Sequence, residues 1–274
     1  MNIATEPMAP KQENVNKSVD RALRLLDLFD EEHVTLSVSE LAKLLSTTRV
    51  TIYPTVNALV ARGYLESDGN GKFSLGMKIV ERGGEKLASL DMRRVAQRRL
   101  RDLARNLEGN AHLATLHGNE VLYLEREEGR PAVTLREIIG RRVSPHCTAL
   151  GKALLAFLPE EDRRRIAESL DYVKHTPNTI TNAKDLLADL DTVRERGFAL
   201  EQEEFHLGSA CVAAPIRRLD GRVVGAISLS VAAADLEARG VENQAAHVLE
   251  VSNAISSDLG HRIGESPLGD GGGG

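Results

Sequence analysis

The sequence predicts an α+β protein in two parts: a small helical domain closed by a β-hairpin, then a larger domain of mixed helices and strands. Three observations predict it. Helix-spaced apolar patterns follow one another through residues 18–62. A turn quartet, Asp68-Gly69-Asn70-Gly71, then separates two short strand-like runs. From Ala111 onward the apolar spacing repeatedly switches between about 3.6 and 2 residues.

Residues 18–30 place Val19, Ala22, Leu23, Leu26 and Phe29 at helical spacing. Residues 37–45 open with a capping box, Ser37 followed three residues later by Glu40, and carry Val38, Leu41, Ala42 and Leu45 on one face. The next helix puts Ile52, Val56, Leu59, Val60 and Gly63 on one side. Only Ser46-Thr47-Thr48 separates these two helices, so they form a helix-turn-helix candidate. The hairpin of residues 64–67 and 72–75 adds a wing. Residues 76–90 read as a helical connector interrupted at Gly83-Gly84, a hinge, because each glycine costs a helix interior about 1 kcal/mol. Residues 91–107 restore the helical stripe. Their other face carries Arg93, Arg94, Arg98, Arg101 and Arg105, read as solvated or inter-subunit.

In the second part, two strands flank Gly118-Asn119, and residues 132–138 form a third run. Residues 149–158 and 160–170 are helical around Pro159, and a helix over 185–196 stops at Gly197. Strands at 211–216 and 223–231 join around Asp220-Gly221, and a closing helix spans 234–261. The expected boundaries are a disordered tail over 1–14, a winged helix-turn-helix over 15–76, a linker helix over 77–92, a second domain over 93–262 and a flexible tail over 263–274. No internal repeat is visible.

The 274 residues suffice for two cored domains. No apolar run approaches a membrane span, and the polar start has no signal core, so a cytoplasmic protein is expected. The two cysteines, Cys147 and Cys211, are expected as free thiols. The net charge of -5 disfavours a uniformly basic nucleic-acid binder, yet only the contacting surface must be positive. Between residues 46 and 78 the bases Arg49, Arg62, Lys72 and Lys78 face only Glu66 and Asp68.

The second helix of the pair has Thr51, Thr55 and Asn57 on its polar side, with Tyr53 nearby. Short polar side chains of this kind reach phosphates or base edges when a helix lies in the major groove. Pro54 admits two readings. With Thr51 as N-cap it lies in the first turn and costs no bond; with Thr48 as N-cap it removes the bond to the Val50 carbonyl and kinks the helix. A start near Thr48 is favoured, because Thr48 is a good cap.

Four stretches together resemble the IclR family of transcriptional regulators, over about residues 17–262: SVDRALRLLDLF, LAKLLSTTRVTIYPTVNALVARGYLE, SPHCTALGKALLAFLPEE and RERGFALEQEEFHLGSACVAAPIRRLDGRVVGAISLSV. Pro54 departs from the family, which usually has arginine or another long polar residue there. The resemblance implies a winged helix-turn-helix, a linker helix and a GAF-like effector-binding domain, without cofactor, metal or catalytic residues. It implies a homodimer or dimer of dimers on a palindromic duplex operator, with repression the commoner arrangement, and a small-molecule effector. Arg49, Arg62 and Lys72 are expected on phosphates; Thr48, Thr51, Tyr53, Thr55 and Asn57 complete the expected DNA-binding set. The family's pocket positions correspond to Ala149, Leu150, Glu201, Cys211, Ser228 and Ser230. Alternation puts Ser228 and Ser230 on one strand face. Glu201 stands where the family more often has Asp, which favours a ligand with a hydroxyl, amide or amine facing it. Small aromatic acids or their derivatives, and short keto or hydroxy acids, are the candidate effectors.

Two other chemistries compete. A thiol redox sensor on the same scaffold would use Cys211. A metal or thiol enzyme would gather His146, Cys147, His206 and Cys211, though no CxxC or HxxxH spacing supports it.

Overall fold

The computed structural model describes residues 16–88, 91–129 and 139–261. The expected run at 132–138 and both expected tails lie outside the described residues. Two compact units divide between Leu87 and Ala88.

In the first unit the Asn16 side chain caps α1 (Lys17–Leu26) by accepting from the Ser18 and Val19 amides. The helix ends earlier than its spacing predicts. Val19 and Leu23, expected inside, are 56% and 58% exposed. The leucine-rich segment offers two apolar stripes, and the one holding fully buried Leu25 is the one that packs. A two-residue strand, β1 (Leu36–Ser37), leads into α2 (Val38–Leu44). The capping box is formed: the Glu40 amide donates to Ser37 Oγ, and the Ser37 amide donates to the Glu40 carboxylate at 2.7 Å. After the turn at Ser46 comes α3 (Arg49–Ala61), then β2 (Leu65–Ser67) and β3 (Lys72–Leu75). The three strands form an antiparallel sheet in the order β1-β3-β2. Leu25, Leu36, Leu41, Ile52, Val56 and Leu65 make the core beneath it. Gly76 seats the end of the wing against the Gly63 backbone, where a side chain would collide with the Gly63 carbonyl. Then α4 (Met77–Ala88) runs unbroken through Gly83-Gly84. The expected interruption is absent, because glycine weakens a helix without removing its hydrogen bonds.

The second unit opens with α5 (Asp91–Asn106) and a hairpin, β4 (Asn110–His117) and β5 (Glu120–Glu128). The short strand β6 (Arg142–Val143) and a 3₁₀ turn, Pro145–Cys147, precede α6 (Ala149–Ala156). Three elements follow: α7 (Glu160–Ser169), α8 (Ala183–Arg196) and β7 (Ala199–Gln202). The unit ends with β8 (Ser209–Arg217), β9 (Val223–Ala232), α9 (Ala233–Arg239) and α10 (Val241–Asp258). The single expected closing helix is two, because Gly240 takes φ +82° between them.

Six antiparallel strands form one sheet in the order β6-β5-β4-β9-β8-β7. Helix α6 packs on the face carrying Ala114, Tyr123, Ala213 and Ala226. Helices α5 and α10 pack on each other and on the sheet. The arginines of α5 and the acidic run after residue 124 meet here. Arg93 pairs with Glu125 at 2.9 Å, and Arg101 holds Glu127 through two bonds. These two pairs tie α5 to β5, while Arg94 and Arg98 are exposed and pair within α5, with Asp91 and Asp102.

Candidate functional site

In the first unit, α3 decides what the surface offers. Thr48 is its N-cap: Thr48 Oγ1 accepts from the Thr51 amide at 3.2 Å and lies 2.8 Å from Thr51 Oγ1. The reading with Thr51 as N-cap is therefore excluded. Pro54 lies in the second turn, so the Val50 carbonyl loses its intrahelical donor, yet the helix continues through it.

Helical geometry of about 100° per residue sorts the side chains. Ile52 and Val56 are fully buried, with Thr55, Leu59 and Val60 half-buried beside them. Thr55 therefore turns toward the core rather than outward. Thr51 lies at the flank, its hydroxyl engaged with Thr48. The outward centre is Val50, Pro54, Asn57 and Ala61, flanked by Tyr53 and Ala58. Sequence reasoning sought polar residues and so passed over Val50, which is 85% exposed. Arg49, Arg62 and Lys72 are exposed. The wing turn is held by the Asp68 carboxylate, which accepts from the Asn70 and Lys72 amides at 2.8 and 3.0 Å.

In the second unit, strand register assembles the site. Glu201, Cys211, Ser230 and Asn110 form one row across β7, β8, β9 and β4. The neighbouring row brings Ser228 beside His112. Against these rows sits the N-terminus of α6, capped by Thr148, which accepts from the Gly151 amide. Gly151 is required there, since a side chain would enter the Pro145 backbone. The result is a cavity lined by Ala149, Leu150, Glu201, Cys211 and Ser228 together with His112, Tyr123, Thr148, Phe205, His206 and Ser209. Of the expected pocket residues only Ser230 is not on its wall; its hydroxyl takes the Cys211 thiol at 3.2 Å instead. The cavity volume is only about 20 Å³, room for one or two water molecules. A ligand larger than one or two waters must therefore move part of the wall.

One wall of the cavity is the loop between β7 and β8, which brings Phe205 and His206 to it. Its backbone is held from three sides. Glu201 Oε1 accepts the Glu204 and Phe205 amides at 2.6 and 3.2 Å. Thr176 and Thr179 hydroxyls donate to the Glu203 and Glu204 carbonyls, both at 2.6 Å. Lys152, 1% exposed, reaches Glu204 at 2.5 Å and Asp189 at 3.0 Å. Sequence patterning shows Lys152 only as a polar break in an apolar helix; its partners lie dozens of residues away.

Burial pushes the Glu201 carboxyl up to about 7, against the lowering effect of the two amides and of Cys211. Burial likewise raises Glu204, opposed by Lys152. Ser209 Oγ is buried in the cavity wall with no hydrogen-bond partner. Such a group costs about 1–3 kcal/mol unless something binds it.

The metal or thiol enzyme finds little support in the surroundings of His146 and Cys147. His146 spends both ring nitrogens elsewhere, on Ser144 Oγ at 2.7 Å and the Val173 carbonyl at 3.1 Å, and burial lowers its pKa. Burial pushes the Cys147 thiol up to about 12, far from a nucleophilic thiolate. Among the described residues no group of three His, Cys, Asp or Glu side chains is placed to hold a metal ion. None of their helices is long and apolar enough to cross a membrane.

Comparison with known proteins places both units. Residues 18–69 match the family model for the IclR helix-turn-helix domain, and residues 84–257 match that for the bacterial transcriptional regulator IclR C-terminal domain. The chain is 36% identical over 246 residues to the HTH-type transcriptional regulator XynR of Escherichia coli K12, covering 89% of this chain and 98% of that one. It is 28% identical over 252 residues to the regulator KdgR of the same organism, covering 92% and 95%. Among solved structures, an IclR homologue from Microbacterium hydrocarbonoxydans in complex with 4-hydroxybenzoate aligns with TM-score 0.79 at 26% identity, covering 88% of this chain and 98% of that one. A Rhodococcus regulator aligns with TM-score 0.80 at 29% identity, covering 90% and 99%. The chain belongs to the IclR family of DNA-binding transcriptional regulators, with the family's helix-turn-helix in its first unit and its effector-binding domain in the second.

Proposed function

We propose that this regulator is a repressor released from its operator by a small hydroxy-substituted organic acid bound in the Glu201 cavity. The observation that carries the ligand class is the unpartnered Ser209 hydroxyl in that cavity. The first amides of α6 have no intrahelical acceptor, and with Thr148, Ser209 and Ser228 they suit a carboxylate. Glu201 supplies the acceptor for a hydroxyl when ionised, and tolerates a neighbouring carboxylate when protonated. The 4-hydroxybenzoate complex of a homologue has both functions in one ligand. The ligand acts by displacing the loop that Glu201 holds, and it must prefer one state to matter. Operator reading uses two copies of α3 in a homodimer or dimer of dimers, on half-sites about 34 Å apart, with Arg49, Arg62 and Lys72 on phosphates.

The test is a thermal-shift screen of hydroxy acids, each beside its methyl ester and its deoxy analogue, followed by operator mobility shifts. A hit should raise Tm, lose most of its effect on esterification and release operator. Ser209→Ala should weaken the hit. If only uncharged compounds stabilise the protein, the ligand class is wrong; if hits bind without changing operator affinity, the control mechanism is wrong.

A further inference from the structure

We infer that Val50 and Pro54 read thymine methyl groups in the major groove, so that apolar contact at the centre of α3 sets this regulator's operator preference. The inference rests on the proposed seating of α3 in duplex DNA.

Val50 and Pro54 are one turn apart and therefore adjacent on the helix surface. Both are exposed, Val50 at 85%. Neither serves the core, which is built from Ile52 and Val56 on the far side. Pro54 also removes a helix hydrogen bond, so its presence at an exposed position does not help the fold. The centre of the outward face holds no charge: Arg49 stands at the first position of the helix and Arg62 beyond its end. Only Asn57 there can hydrogen-bond a base, with Tyr53 at the side. In the major groove thymine alone presents an apolar group, its C5-methyl. A valine with one preferred rotamer and a proline ring with almost no side-chain freedom can cover that methyl at small entropic cost. Asn57, on the same face, suits an adenine beside it.

The experiment uses the full chain. An operator half-site is obtained by enrichment from random duplex, and each thymine is then replaced by deoxyuridine, which removes the methyl and keeps every hydrogen-bonding group. Binding is read by fluorescence anisotropy. At one or two positions per half-site uracil should weaken binding about fourfold per methyl, and about fifteenfold for a symmetric pair. In Val50→Ala or Pro54→Ala the penalty at one of those positions should disappear, as a double-mutant cycle detects. Uracil tolerated at every position, no thymine in the enriched half-site, or a penalty unchanged in both variants would each overturn the inference while leaving the regulator reading in place. Failure to enrich any sequence would overturn that reading as well.

Discussion

Lys152 is the most demanding single residue in the effector domain. A buried ammonium is tolerable only because Glu204 and Asp189 neutralise it and the Leu200 carbonyl accepts a further bond at 3.3 Å. Lys152→Ala should cost about 3–5 kcal/mol, since it strands two carboxylates; Lys152→Met with Glu204→Gln should cost much less. Chemical denaturation of both variants checks this, and equal losses would show that packing rather than charge is at stake. Glu201 gives a pH prediction. Its folded carboxyl holds its proton up to about 7, above the ordinary 4.5. The unfolded chain releases that proton earlier, so the contribution is full below about 4.5 and is lost as pH rises through 7. Glu201→Gln retains an oxygen for the two amides. Relative to the variant, the wild type should lose on the order of 2–3 kcal/mol between those limits. Parallel stability curves would contradict the assignment.

At the scale of elements, α3 and α4 carry opposite lessons. Thr48→Ala removes a formed cap and should cost about 1 kcal/mol. Pro54→Ala restores an amide to an intact helix and should raise Tm, even while it changes operator preference. A fall in Tm would mean that the ring packs on the domain. In α4, Gly83 and Gly84 have open space around them, so alanine at both should stabilise the helix by up to about 2 kcal/mol. If the pair supplies compliance between the units, the same change should blunt ligand-induced release without altering ligand affinity; unchanged release removes that role. Elements with local determinants were legible in the sequence. The Ser37–Glu40 box, the Gly118-Asn119 hairpin and the Gly197 stop are each encoded within a few residues. Strands β1, β6 and β7 were not, because two to four residues show no periodicity and exist only through distant partners. The outward side of α3 was misjudged for a related reason. Threonines look like contacts, but the cap takes one and the core side takes another.

Across the whole chain, the division between the two units falls at the end of α4, between Leu87 and Ala88. Five of the six positions to which the family resemblance points line one cavity, yet its loop lock was invisible, since Thr176, Thr179 and Lys152 reach it from elsewhere in the sequence. A net charge of -5 means that DNA affinity must come from a local basic surface. Operator binding should therefore fall steeply with salt, and Arg49→Ala should reduce the slope by about one without relaxing base preference. A change in preference with no change in slope would move Arg49 from phosphate to base. The most direct test of the division of labour is one titration: anisotropy of the full chain on its enriched two-fold operator and on a scrambled duplex, each with and without the best thermal-shift ligand. The protein should prefer the operator about 10³-fold or more, and the ligand should weaken the operator complex alone. Equal affinity for both duplexes, at low salt and at every ligand concentration, would contradict it.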